Sequence, residues 1–310
     1  MKCIVSLLFL TFSIQGFYAQ SACFSSTNDI TFQGPTNGQA IEKGDFDNDG
    51  KMDIVIANFT LGGNKLNFIK GNGNGTFQAP ITFNGGTRPN SLRAADFNGD
   101  GNLDIAAVNF SPANISVVMG NGDGTFQTAV NYTPNTGPND VEVGDFNGDA
   151  ALDLVVAIAS GGFNLFPGST ITPGTFGVPT FFSMGIGTKS IAVGDFNNDL
   201  NLDVATANQT NSNVSIRFGT GAAGFSAAAN YTTGSGCYSI TTGDFNNDNL
   251  LDIATSNETV DNISVLLNAG AGVFGTAVNY PAGDGPSGIT TNDVNADGLN
   301  DIHVDNNHER

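Results

Sequence analysis

Asp96-Phe-Asn-Gly-Asp-Gly-Asn-Leu-Asp104-Ile-Ala-Ala-Val108 is the stretch whose reading decides the fold: nine residues of acidic loop, then an unbroken apolar run. Oxygen-bearing side chains stand at loop positions 1, 3, 5 and 9, here Asp96, Asn98, Asp100 and Asp104, with Asn102 at position 7. The loop occurs six times in all, at intervals of 49 to 51 residues. Before it come Asp45, Asp47, Asp49, Lys51 and Asp53. After it come Asp145, Asn147, Asp149, Ala151 and Asp153, then Asp195, Asn197, Asp199, Asn201 and Asp203. Asp244, Asn246, Asp248, Leu250 and Asp252 make the fifth copy, and Asp293, Asn295, Asp297, Leu299 and Asp301 the last. Ca²⁺ takes six to eight hard oxygen ligands, several anionic, from a loop curled around it. The pattern therefore predicts up to six calcium cages, with position 7 supplying only its backbone carbonyl because its side chain varies freely.

The same spacing orders the rest of the chain. An apolar residue sits four before each first Asp (Ile41, Leu92, Val141, Ile191, Ile240, Ile289). Phe77, Phe126, Phe176, Phe225 and Phe274 each follow a Gly-rich turn, and Phe32, Phe83, Tyr132, Phe182, Tyr231 and Tyr280 form a third series. Asn114, Asn164, Asn213 and Asn262 open a fourth. Each unit reads as four short strands separated by turn chemistry, with the loop joining strands one and two. No stretch holds a 3.6-residue period, and 41 glycines are too many for helices, so the fold class is all-β. A repeat of this length with four strands matches the blade of a β-propeller. Strand two is then buried on both faces, which accounts for consecutive apolar runs such as 54–57 and 154–158. A calcium-bearing β-solenoid would repeat far more densely.

The loop is not an EF-hand, which needs a bidentate Glu at position 12 and flanking helices; Ile56, Ala107, Val156, Thr206, Thr255 and Val304 stand there. With its preceding Gly-Asp-Phe, the D-x-N-x-D-G-x-x-D core resembles the FG-GAP or VCBS repeat, the blade of integrin α-subunit propellers and of many secreted bacterial proteins. The resemblance spans residues 28–310 and implies a calcium-stabilised extracellular propeller serving adhesion or ligand binding. The Gly-Ala-Pro half of the family name is absent, as is any integrin-type membrane helix or inserted domain. Position 6 should favour a left-handed backbone, easy for Gly and costly for others. Gly50, Gly101 and Gly298 suit it, Asn249 is acceptable, Ala150 poorer and Leu200 worst. With Asp47 as a fourth carboxylate, the first loop ranks with the Asp96 loop as the tightest, and the Asp195 loop ranks last. Asp and Asn also make side-chain-to-backbone turns without metal, but turns alone do not require carboxylates at positions 1, 5 and 9 together.

Nineteen of the 29 acidic residues lie in these loops, and the formal charge is −19. Crowded carboxylates repel unless a cation joins them, and so acidic a chain is unsuited to nucleic acid. Lys2, the apolar run 4–14 and the small polar turn near Ala19 predict a secretory signal peptide over 1–19. A tail over 20–28 and a propeller over 29–310 follow, in units of about 38–83, 89–132, 138–182, 188–231, 237–280 and 285–310. The leader run is too short to span a membrane comfortably, and the residues before Cys23 fit a lipoprotein box poorly. Cys23 and Cys237 either pair in an oxidising compartment or remain free thiols.

Five units are complete and the sixth stops after strand two. The segment 29–32 closes it, or the chain is a piece of a seven-bladed ring; both arrangements stand open. Catalysis has little footing: the histidines, His303 and His308, lie in the last ten residues, and the paired carboxylates belong to the loops. The expected function is a secreted calcium-binding module for an extracellular protein or glycan, without an enzymatic role. Its ligand would touch the variable segments 59–65, 110–113, 160–163 and 209–212. A calcium-dependent polysaccharide lyase or phospholipase, or a purely structural piece of a surface protein, are the alternatives.

Overall fold

A computed structural model describes residues 4–8, 18–22, 38–58 and 65–306. Among them every regular element is a strand, and the strands form six four-stranded antiparallel sheets, the blades of a β-propeller. The first sheet holds Gly38–Gly44, Asp53–Asn58, Lys65–Ile69 and Ile81–Asn84. Its strands pair in chain order, as hairpins joined by short turns must. The next four sheets begin at Pro89, Pro138, Thr188 and Cys237 and repeat this plan. In every sheet the first and second strands show a register shift at the far end from the acidic loop, as between Pro89 and Ser91, a bulge that strengthens the local twist.

The sixth sheet is completed from the other end of the chain. Pro286–Asn292 and Asp301–Asn306 are its first two strands, and Ile4–Leu8 and Tyr18–Ala22 the others. Val5 stands opposite Val304, and Leu7 opposite Ile302. The segment 29–32, expected in that place, lies outside the described residues, as do Cys23, His308 and the variable stretch 59–64.

Two compact units make up the chain. In Asn28–Phe182, sheet two is sandwiched between its neighbours. Ile105 and Ala107 of its second strand join Phe46, Val55, Leu66 and Phe68 of sheet one. The alternate residues Ala106 and Val108 join Val141, Leu154, Val156 and Phe166 of sheet three. One strand thus feeds two cores, and all six of its residues are buried. Sheet one departs from the expected pattern: Ile54 and Ile56 are only half-buried and Ile41 is 59% exposed. These side chains lie on the face turned away from sheet two, which no other sheet of this unit covers. In the other unit, Ala205, Ala207 and Ile216 of sheet four meet Ile240, Ile253 and Leu266 of sheet five. The opposite face of sheet five, through Ala254 and Ile263, meets Ile289, Ile302 and Val304 of sheet six.

Three of the Phe residues that follow a Gly-rich turn, Phe126, Phe176 and Phe274, are inter-blade pins. Phe126 of sheet two stacks on Phe83 of sheet one, ring centroids 4.0 Å apart, and lies 6.1 Å from Phe46 in the acidic loop. Phe176 meets Phe97 and Tyr132 in the same way, and Phe274 meets Phe196 and Tyr231. The third expected series and loop position 2 therefore form one aromatic socket, filled by the following blade. Asn114 and Asn213, of the fourth series, accept hydrogen bonds from the buried amides of Asn109 and Asn208 at 2.8 and 3.0 Å. These bonds satisfy polar groups that the sandwich removes from water.

Candidate metal centre

Each acidic loop runs between strands one and two at one end of its sheet, so the strands fix its mouth. Its path is set by two left-handed residues, not one. Position 6 has φ between 65° and 85° in all six loops, including 71° at Leu200, which is 95% exposed. Position 4 is left-handed as well, at Asn48, Gly99, Gly148, Asn198, Asn247 and Ala296. Only Asn or Gly, with Ala296 the one exception, occupies position 4, as the cost of this conformation for other residues requires.

The carboxylates divide into two kinds. The position-1 Asp curls the loop around itself: in the second copy, Asp96 accepts hydrogen bonds from the backbone N–H of Gly99, Asp100 and Gly101 at 2.7–3.2 Å. Asn98 and Asp100 then accept from the amides two residues on, at 2.8 Å each. Asp145, Asp195, Asp244 and Asp293 are wired alike. The position-9 Asp faces inward. Asp104 is fully buried, and its Oδ2 accepts from Phe97 N–H at 2.9 Å while its Oδ1 accepts from Gly120 N–H at 2.8 Å. Gly120 must be small, because a Cβ there would sit 2.3 Å from the Leu103 carbonyl oxygen. The same pair of hydrogen bonds ties Asp53 to Phe46 and Gly71, Asp153 to Phe146 and Gly168, Asp203 to Phe196 and Gly219, and Asp252 to Phe245 and Asn268. Asp301 makes the first of the pair, with Val294. Burial pushes the carboxyls of Asp104, Asp203 and Asp252 up to about 6, and those of Asp53 and Asp153 upward, against the pull of these amides. Position 9 is therefore a strap joining the loop to the turn after strand three, a task its spacing in the sequence did not disclose.

Among the described residues, Asp45, Asp47 and Asp49 form a group in which one carboxylate oxygen from each lies within 4.8 Å of the other two. Asp47 is 7% exposed at its side chain, and its Oδ1 is buried without a hydrogen-bond donor. Three hard, anionic oxygens at this separation, with a buried Asp47 oxygen that has no donor, fit a calcium ion; positions 1, 3 and 5 would hold it. The Lys70 ammonium also reaches this group, paired with Asp47 and 2.9 Å from Asp49 Oδ2, and Lys51 Nζ is 3.0 Å from the same Asp49 oxygen. Hydrogen bonds from Lys70 and Lys51 hold Asp49 down at about 2. Lys51 was expected to offer only its carbonyl, and Lys70 carried no expectation at all.

A second set of charges was also missed. Arg93, on the first strand of sheet two, lies 3.2 Å from Glu42 on sheet one and pairs with Glu142 on sheet three. Burial raises both glutamates, with Arg93 pulling the other way. The three residues stand at one repeat position, three before each loop, so the periodicity itself was the signal. Cys237 is a buried free thiol. His303 is partly buried on the second strand of sheet six, in keeping with a packed residue.

The sequence profile of the FG-GAP-like repeat matches residues 45–107, 96–156 and 195–255, more than half of the chain. The chain belongs to the FG-GAP-like repeat family. Each match starts at a position-1 Asp and ends within the second strand of the next blade, so it takes in two acidic loops and the strands between them. The FG-GAP chain is similar in fold to a lectin from Agrocybe aegerita, described as recognising non-reducing terminal N-acetylglucosamine. The two are 18% identical, the match covers 97% of this chain and 83% of that one, and the TM-score is 0.61. A protein from Lactobacillus plantarum is 14% identical over 93% and 85% of the two chains, with a TM-score of 0.62. The biofilm matrix protein Bap1 of V. cholerae is 16% identical over 80% of this chain and 40% of that one, at a TM-score of 0.51. No curated protein matches the chain. As an FG-GAP propeller, it is a binding or structural module. No helix among the described residues is long and apolar enough to cross a membrane.

Proposed function

We propose that this FG-GAP propeller binds calcium through its acidic loops and works outside the cell as a binding or adhesion module of the integrin α type. The observation that carries the reading is the acidic loop written six times, whose backbone bonds curl positions 1, 3 and 5 together, as at Asp96, Asn98 and Asp100. The role of the ion is structural. Bound at positions 1, 3 and 5, it neutralises carboxylates that the loop brings together, while the buried position-9 Asp anchors the loop from below. A site of about 10⁻⁴ M affinity in about 1 mM calcium adds about 1.4 kcal/mol to the native state. That gain suits an extracellular setting, for which the apolar run after Lys2 is the sequence support.

Cleavage of that leader after Ala19 would take Ile4–Leu8, in the third-strand place, out of sheet six, and the segment 29–32, which aligns with the fourth strand of the other units, is then the candidate to close that sheet without a third strand. The ligand would be an extracellular protein or glycan, met by the turns between strands two and three. Phe110, 56% exposed, lies on one of them. The lectin of like fold makes a glycan the first class to try. The reading is non-catalytic, since the position-1 and position-9 carboxylates are committed to backbone amides. Calorimetric calcium titration of chelator-stripped protein tests it, with several ions bound and a raised melting temperature expected. A flat isotherm and an unchanged melting temperature would refute it.

A further inference from the structure

Loop one differs from the other five in three places at once. Asp47 stands at position 3, where Asn98, Asn147, Asn197, Asn246 and Asn295 stand elsewhere. Lys51 stands at position 7, where the others have Asn, Ala or Leu. Lys70 directly follows the third strand and precedes Gly71, whose N–H reaches the Asp53 strap. In the next four repeats that place is held by Met119, Pro167, Phe218 and Leu267. The chain has only 10 Lys and Arg residues, and two of them converge on the one loop with an extra carboxylate. The geometry joins these differences. Asp47 does not accept the backbone bond that its Asn counterparts accept from position 5; it turns to the Lys70 ammonium, which also lies 2.9 Å from Asp49.

We propose that the first loop carries its own tethered cation: Lys70, assisted by Lys51, occupies the carboxylate group that calcium takes in the other loops. Loop one then keeps its shape without metal and is the last to fill, although its four carboxylates ranked it among the tightest from sequence. The extra anion and the extra ammonium are one substitution in two parts. A divalent ion entering between Asp45, Asp47 and Asp49 must displace the ammonium or sit beside it. Even at the dielectric of bulk water, repulsion between a divalent and a monovalent cation about 5 Å apart lowers affinity by roughly tenfold.

The inference rests on the calcium reading above, and its test separates the two. Chelator-stripped full-length protein, wild type and Lys70→Met, is titrated with calcium by calorimetry and unfolded in urea without metal. Lys70→Met reproduces the residue of the second repeat, and Lys70→Gln serves where the Met variant does not fold. The expected result is one site gained, or tightened about tenfold or more, together with a lower metal-free urea midpoint. Adding Asp45→Ala to Lys70→Met should abolish the gained site. Calcium binding by Lys70→Met identical to that of wild type would overturn this proposal alone. Flat isotherms for both proteins would overturn the calcium reading and this proposal with it.

Discussion

Replacing Asp104 by Ala separates the strap from the cage. Asp104 is fully buried, and its two oxygens accept from Phe97 and Gly120 N–H at 2.9 and 2.8 Å. Truncation leaves two buried amides without acceptors, at about 1–3 kcal/mol each, so a loss of about 2–6 kcal/mol is expected. Against a domain stability of about 5–15 kcal/mol, that is a large fraction. Asp104→Asn keeps one acceptor and turns an NH₂ group toward the other amide, so about half the loss is expected. Asp96→Ala is the contrast. The amides it frees, on Gly99, Asp100 and Gly101, lie on an exposed loop where water replaces the carboxylate, and the metal-free cost should stay below about 1 kcal/mol. The chain has no Trp, so urea unfolding is followed by circular dichroism, in chelator and again in calcium. Asp96→Ala should lose part of the calcium-induced shift and keep the metal-free midpoint; Asp104→Ala should lower the midpoint in both. A metal-free stability of Asp104→Ala within about 0.5 kcal/mol of wild type would refute the strap.

Leu200→Gly should stabilise the protein by about 0.5–1 kcal/mol: it relieves a left-handed residue at φ 71°, worth about 1–2 kcal/mol, less the entropy glycine adds to the unfolded chain. A lower urea midpoint would contradict this. Phe126→Ala should cost about 2–4 kcal/mol through the emptied socket of Phe83, Phe46 and Phe68, and thermal melting measures it. Asp104, Asp203 and Asp252 titrate near 6 in the fold, above the unfolded value of about 3.9. The native state therefore holds protons that the unfolded state has lost between pH 4 and 6. Their contribution to metal-free stability falls as pH rises through that window and levels off above it. Urea midpoints at pH 4.5 and 7 in metal-free buffer check the sign, and saturating calcium should oppose the trend. Finally, intact-mass measurement of the exported protein should find the chain beginning near residue 20, and a chain retaining Ile4–Leu8 would refute cleavage.

The blades were legible because their signals repeat. Four series of apolar and turn residues at one period fix strand number and burial together, and strand 104–109, apolar on consecutive positions, lies buried on both faces as that pattern required. The left-handed position 6 was readable from Gly50, Gly101 and Gly298, and it holds even where Leu200 stands. Position 4 escaped notice because Asn and Gly there looked like ordinary loop residues. The strap escaped because Asp104 and its partner Gly120 are sixteen residues apart, and a carboxylate beside a metal loop reads first as a ligand. Lys70 was invisible for the same reason: its meaning lies in replacing Met119, Pro167, Phe218 and Leu267 at a place fixed only by the fold. Ile41 broke its series since period alone cannot say how deeply each face of a given sheet is buried.

The aromatic socket gives each of the two units a direction. In three loops the second residue is gripped by the Phe of the repeat that comes after it: Phe46 by Phe126, Phe97 by Phe176 and Phe196 by Phe274. Stiffening one loop therefore firms the seat of its successor, and slackening travels the same way, so neighbouring loops should respond in sequence along the chain and not as independent binders. Val294, 54% exposed where the other repeats bury Phe, is where that relay loses its grip.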